Sequence, residues 1–253
     1  MKRILLSILA LFLGVSILAA QDLRAALGQA LERHVPNRIF PADLVITGTV
    51  AKGSEAAQPL RILVKGKDQI RFEIGNAFSM ITTVFGKDSG WTEQDGKRRP
   101  IPAHAAMQRP ALLPFLDIIA DADAPALEIV NRGLFTIGAV QAQGVRVRLP
   151  DARGGARAFK RALDEDVDLY LDPQTLLILR SERWVLSEGN MESRARSVYE
   201  YSDYRQVQGM AIPFRIVSRL TAGARQFPAS IYVFTNVSVN TGLGDSDFAP
   251  RRP

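Results

Sequence analysis

The 253-residue chain has no cysteine and only two histidines, His34 and His104. The first absence excludes disulfide scaffolds, thiol nucleophiles, iron–sulfur clusters and thiolate zinc sites together. The second leaves almost nothing for a histidine-based metal centre. A Gly-x-Ser-x-Gly nucleophile elbow is absent from the sequence. Gly154-Gly155 stands alone, without the strand–turn–helix context of a phosphate-cradling loop. Asp164, Glu165, Asp166 and Asp168 form the densest acidic group, with Asp172 close behind. They lack the glycine turn and distal glutamate of a calcium loop and read as a solvated turn with one wet strand face. Nothing singles out a catalytic pair among the 26 carboxylates. No cofactor and no catalytic residue is expected.

What is present is apolar. Hydrophobic residues make up 47% of the chain against 23% charged, too rich for disorder and ordinary for a packed core. Lys2 and Arg3 precede an apolar run from Ile4 to Leu13, small residues follow to Ala20, and Gln21-Asp22 opens a polar sequence. This is the pattern of a secretory signal peptide over residues 1–20, cleaved near Ala20, and it predicts export. The alternative is an uncleaved anchor, for which Ile4 to Ala20 is barely long enough. No cysteine follows to carry a lipid anchor. The net charge of +6 falls to +4 without Lys2 and Arg3. That balance suits a solvated surface, or contact with anionic lipid, better than nucleic acid. Residues 21–253 are read as one domain.

An amphipathic helix follows the leader. Asp22 is placed as its N-cap, Leu23, Ala26, Leu27, Ala30 and Leu31 recur at three and four, and Pro36-Asn37 stops it. From residue 42 the pattern changes to short β-branched and aromatic runs, cut by turn residues. Five runs lie between Asp43 and Glu93 and seven between Leu127 and Val239. Tight links such as Gly75-Asn76 and Asp95-Gly96 predict antiparallel meanders. About 11–12 strands in one twisted sheet must curl. The expected class is α+β, an incomplete, half-open antiparallel β-barrel with an N-terminal and an internal helix.

That internal helix lies between the two halves. From Pro110 to Ala120, Leu112, Leu113, Phe115, Leu116, Ile118 and Ile119 point in every direction, with Asp117 the lone charge. A helix apolar all round needs cover on all sides. It is either plain core completing an α+β layer or a plug in a cavity that another molecule can occupy. In the second case the first meander supplies Leu44, Ile46, Phe72, Met80, Phe85 and Trp91 to the cavity. Leu112, Leu113, Phe115, Leu116 and Ile119 come from the helix, and Tyr201 and Phe214 from the second meander. Concave apolar pockets bind without chemistry, and an acyl chain suits this one. His34 ends the first helix on its apolar side and reads as structural. The basic groups Lys97-Arg98-Arg99 and Arg153, Arg157, Lys160, Arg161 serve solubility or an acidic partner.

The order of these elements resembles the LolA/LolB-like superfamily of periplasmic lipoprotein carriers. The echoes are Leu63-Val64-Lys65, Ile70-Arg71-Phe72, Gly86-Lys87-Asp88 with Trp91, and Pro114-Phe115-Leu116. Tyr201-Ser202-Asp203-Tyr204-Arg205, Gly209, Ile212-Pro213-Phe214 and Asp245-Ser246-Asp247-Phe248 extend the likeness to the C-terminal half. The resemblance implies a monomeric periplasmic protein that holds lipid or lipoprotein acyl chains, with transient membrane-protein donor and acceptor partners. In one respect the chain departs from it. Those carriers place Arg-Pro after the strand-end lysine, and that arginine latches the internal helix. Gly66 and Lys67 stand here, so the latch is missing or comes from Arg71 or Arg109. Two rivals to the carrier remain: a lipid-sensing regulator of the same fold, with a stable protein partner, and an enzyme, which needs a polar cluster in the cavity.

Overall fold

The structure, a computed structural model, describes residues 23–66, 69–76, 78–86, 89–101, 110–117, 128–148, 166–187 and 190–250. The leader, Asp22, His104, Arg109, Ile119 and the basic loop at 153–161 lie outside the described residues. Helix α1 (Leu23–His34) forms where the three–four spacing predicts it and buries Leu27, Gly28, Ala30, Leu31 and His34. It ends because Asn37 and Arg38 take φ of 55° and 54°, which an α-helix cannot continue. Among the described residues no helix is long and apolar enough to cross a membrane.

Among the described residues, fourteen strands form one antiparallel sheet. The first meander holds β1 (Asp43–Lys52), β2 (Gln58–Lys65), β3 (Gln69–Asn76), β4 (Ser79–Phe85), β5 (Gly90–Gln94) and β6 (Lys97–Ile101). The second holds β7 (Glu128–Ile137), β8 (Val140–Arg148), β9 (Val167–Leu171), β10 (Ile178–Ser187), β11 (Asn190–Val207) and β12 (Met210–Ala222). The short β13 (Arg225–Gln226) and β14 (Ser230–Val239) complete it. Two-residue turns set the pairing. Asp95-Gly96 and Gln208-Gly209 have positive φ at both positions, as a hairpin turn matched to strand twist requires.

The spatial order is β6-β5-β4-β3-β2-β1-β14-β12-β11-β10-β9-β8-β7, with β13 paired to β12. The two meanders are therefore joined by their first and last strands, and β6 and β7 are the two free edges. Residues 102–127 link one free edge to the other, and the short helix α2 (Pro114–Asp117) lies on that link. The sheet is an incomplete barrel that does not close.

Two strands exceed the expected count. Lys97, Arg98, Arg99 and Pro100 of β6 show no apolar alternation, so no strand is predicted there. An edge strand needs no buried face, and its charges and proline discourage pairing with another chain. β13 is only two residues long.

The β1–β14 seam is held by a close approach. The register shifts between Thr47 and Gly48, and a Cβ on Gly48 would lie 2.2 Å from the Val233 carbonyl oxygen. Below the seam, the Asp43 carboxylate accepts from the backbone N–H groups of Thr241, Gly242 and Leu243 and from the Thr241 hydroxyl. Burial pushes its pKa up, but these bonds outweigh burial and leave it lowered.

Strand alternation gives the sheet two different faces. The inner face carries α1, the segment around α2 and the main core. The outer face of the first meander carries a small cluster of Leu63, Val84 and Phe248, with Val45, Trp91 and Leu243 packed against it. Arg71 belongs to this outer face. It pairs with Glu73 and donates to the backbone carbonyls of Asp247 and Ala249, tying down the C-terminal segment. Arg71 therefore does not latch the internal helix, because its neighbours across the strands, Leu63 and Val84, face away from that helix.

Candidate functional site

Cross-strand register builds an apolar floor in two rows. Ile46 pairs with Ile62 and Ile62 with Phe72; Leu44 pairs with Val64, Val64 with Ile70, and Ile70 with Phe85. All belong to the main core or pack directly against it. Tyr201 of β11, Phe214 of β12 and Phe234 of β14 continue the same surface, with Phe214 and Phe234 edge to face at 6.5 Å.

Residues 111–116 cover this floor. Ala111, Leu112, Leu113, Phe115 and Leu116 are each 5% exposed or less, so the segment faces protein on every side, as its lack of a polar face requires. Pro110, Leu112, Leu113 and Leu116 sit over Ile46, Ile62, Val64, Ile70 and Phe72. The gap left between them is about 10 Å³, room for one water at most. The floor and its cover bury one another. The helix starts at Pro114 rather than at Pro110, and Ile118, Ile119 and Ala120 lie outside the described residues.

Two polar side chains hold the cover. The Tyr201 hydroxyl donates to the Ala111 carbonyl at 2.7 Å and lies 2.8 Å from the Ser181 hydroxyl. This bond fastens the cover to β11; Arg109, a candidate latch, lies outside the described residues. His34, at the end of α1, is fully buried and stacks on Phe115 with centroids 5.7 Å apart and planes at 18°. Tyr204 leans on the same imidazole at 5.5 Å and donates to the Ile178 carbonyl at 2.6 Å. His34 Nδ1 is 2.8 Å from the Ala211 carbonyl oxygen. Burial lowers its pKa from 6.5 to about 4, against the opposing pull of that bond, so the ring is neutral near pH 7. Burial likewise pushes the Tyr204 phenol well above its ordinary range.

The structure brings Leu44, Ile46, Phe72, Phe85, Leu112, Leu113, Phe115, Leu116, Tyr201 and Phe214 to the inner face. It does not bring Met80 and Trp91 there. Trp91 pairs with Val84 and packs in the outer cluster, with the Arg98 guanidinium 5.1 Å above its ring. Met80 borders an outer groove with Arg71, Phe78 and Trp91. Strand parity explains the correction. Met80 and Phe85 are five positions apart in one unbroken strand, so they cannot share a face. Ile62, Val64, Ile70 and His34 are missing from the expected set. The first three are the alternating apolar positions of β2 and β3 opposite Leu44 and Ile46, a signal the sequence carries.

Of the acidic group, Asp166 and Asp168 are paired, while Asp164 and Glu165 lie outside the described residues. Arg146 grips Asp168 through two bonds of 2.7 Å, and Arg148 holds Asp166. Among the described residues no three His, Asp or Glu side chains form a metal-sized group.

By sequence, no protein-family model and no curated protein matches the chain. Solved structures do. A LolA superfamily protein from Nitrosomonas europaea superposes with a TM-score of 0.54 at 14% identity, covering 91% of this chain and 99% of that one. The fold is LolA-like. A domain assigned to outer membrane lipoprotein sorting from Vibrio parahaemolyticus gives 0.54 at 10% identity, over 88% of this chain and 94% of its own. A DUF1329 family protein from Desulfovibrio piger gives 0.56 at 13% identity, over 89% and 96%. At such identity the likeness establishes the LolA-like architecture alone, and the cavity must be argued from its own residues.

Proposed function

We propose that the protein is a non-enzymatic periplasmic carrier that binds lipid or lipoprotein acyl chains on the inner face and passes them towards the outer membrane. Membrane-bound donor and acceptor proteins contact it transiently. The observation that carries this reading is the cover at 111–116: an apolar segment laid on an apolar floor, on the link between two free sheet edges. Burying Leu112, Leu113 and Leu116 is worth about 1.5–3 kcal/mol each. An acyl chain recovers that total with roughly six to eleven buried methylenes, at about 0.8 kcal/mol apiece. Exchange of cover for cargo is therefore close to balanced, as reversible loading and release demand.

The test is native mass spectrometry and lipid extraction of protein purified from the periplasm, with uptake of a fluorescent fatty acid measured in parallel. Recovery of an acyl-bearing ligand and saturable uptake support the carrier. Protein that arrives without one and takes none up refutes it.

A further inference from the structure

His34 has a second nitrogen that the packing leaves unused. Its Nδ1 faces a carbonyl oxygen, which can only accept, so the proton sits on Nδ1 and Nε2 is a bare lone pair. That Nε2 is buried and has no hydrogen-bond partner among the described residues. Buried acceptors of this kind are rare in native proteins and costly to keep. The ring cannot turn to relieve it without breaking the bond to Ala211 on β12. Tyr204 leans on the ring, but its hydroxyl is committed to Ile178. The third neighbour is Phe115, which belongs to the removable cover and offers no donor.

The same cover shows what the cavity does for a carbonyl. Tyr201 holds the Ala111 carbonyl, an amide oxygen, inside an otherwise apolar space. When residues 111–116 leave, Tyr201 loses that acceptor and the His34 ring loses Phe115. Cargo taking their place lies beside the Tyr201 hydroxyl, a donor, and beside the His34 ring, whose Nε2 is an acceptor. An ester carbonyl satisfies the first alone. Only a group carrying N–H or O–H beside the chain satisfies the second.

We propose that His34 is the specificity residue of the cavity: its Nε2 accepts a hydrogen bond from an amide N–H or a hydroxyl carried next to an acyl chain, so that such ligands are preferred over plain esters. The inference rests on the carrier reading above. Its test uses four dodecanoyl probes that differ at the polar end: the methyl ester, the N-methyl amide, the N,N-dimethyl amide and the β-hydroxy methyl ester. Each displaces a fluorescent fatty acid from the wild-type protein. The N-methyl amide is expected to bind about tenfold more tightly than the N,N-dimethyl amide, the size of one buried hydrogen bond. A similar advantage of the β-hydroxy ester over the plain ester identifies a hydroxyl as an accepted donor; its absence restricts the class to amides. In His34→Phe, which keeps the stack on Phe115 but has no acceptor, both preferences should vanish. Equal binding of all four probes to wild type overturns the inference and leaves the carrier intact, and that comparison holds whether or not His34→Phe folds. Failure of every probe and of the fatty acid overturns both.

Discussion

Leu116→Ala separates a cover that moves from one that is permanent core. Leu116 is 5% exposed and lies over Ile46, Ile62, Val64, Ile70 and Phe72. Truncation removes about three methylene equivalents of burial, about 2 kcal/mol, and the void left behind adds to this within the 2–5 kcal/mol found for buried leucines. If the segment lifts off to admit cargo, Leu116 is buried only in the sealed state, so the whole penalty falls there. The open form becomes more populated, and apparent affinity for an acyl chain rises by the same factor. Two kcal/mol corresponds to about thirtyfold. The assay is titration of a fluorescent fatty acid into wild type and variant, with urea unfolding of both. The reasoning predicts tighter binding with a fall in stability of about 2 kcal/mol. A variant that loses several kcal/mol of stability and binds no more tightly would refute it, because residues 111–116 would then be fixed core.

Other consequences concern the frame around the cavity. Asp43→Ala strips four donors of a charged partner and should cost about 3 kcal/mol or more in urea unfolding. Gly48→Ala places a methyl against the Val233 carbonyl and should cost about 1–3 kcal/mol, seen as a lower Tm. His34 makes the protein acid-sensitive. The unfolded chain takes up its proton below pH 6.5 and the folded one only below about 4, so stability is full above 6.5 and falls as pH drops through that window. At 1.36 kcal/mol per pH unit the loss reaches about 3 kcal/mol, measurable as a falling urea midpoint, and His34→Phe should flatten that part of the profile.

Much of the architecture is legible before any coordinates. Alternation in runs such as Ile212, Phe214 and Ile216, with tight turns between runs, is enough for two antiparallel meanders. The all-round apolar stretch at 111–116 is enough to put it inside. What the pattern does not carry is of three kinds. An edge strand such as β6 buries no face, so it leaves no periodicity to read. The role of Tyr201 depends on a contact with Ala111, ninety positions away, and no local spacing encodes that. Met80 and Trp91 are of another kind: their aromatic or apolar character suggests the cavity, while strand parity, odd against even, puts them on the outer face. Asp166 and Asp168 are likewise ambiguous until β8 brings Arg146 and Arg148 alongside them.

The connection between β6 and β7 has a further mechanical meaning. Among the described residues those strands stand as rims at the two ends of the strand order, and residues 102–127 join them along the chain. If cargo lifts residues 111–116 off the floor, it moves a stretch of chain that is joined to both rims. On the carrier reading, the girth of an admissible guest is then limited by the length of a tether rather than by the shape of the wall. Shortening the 102–127 bridge should narrow the range of accepted chains even where no lining residue is touched.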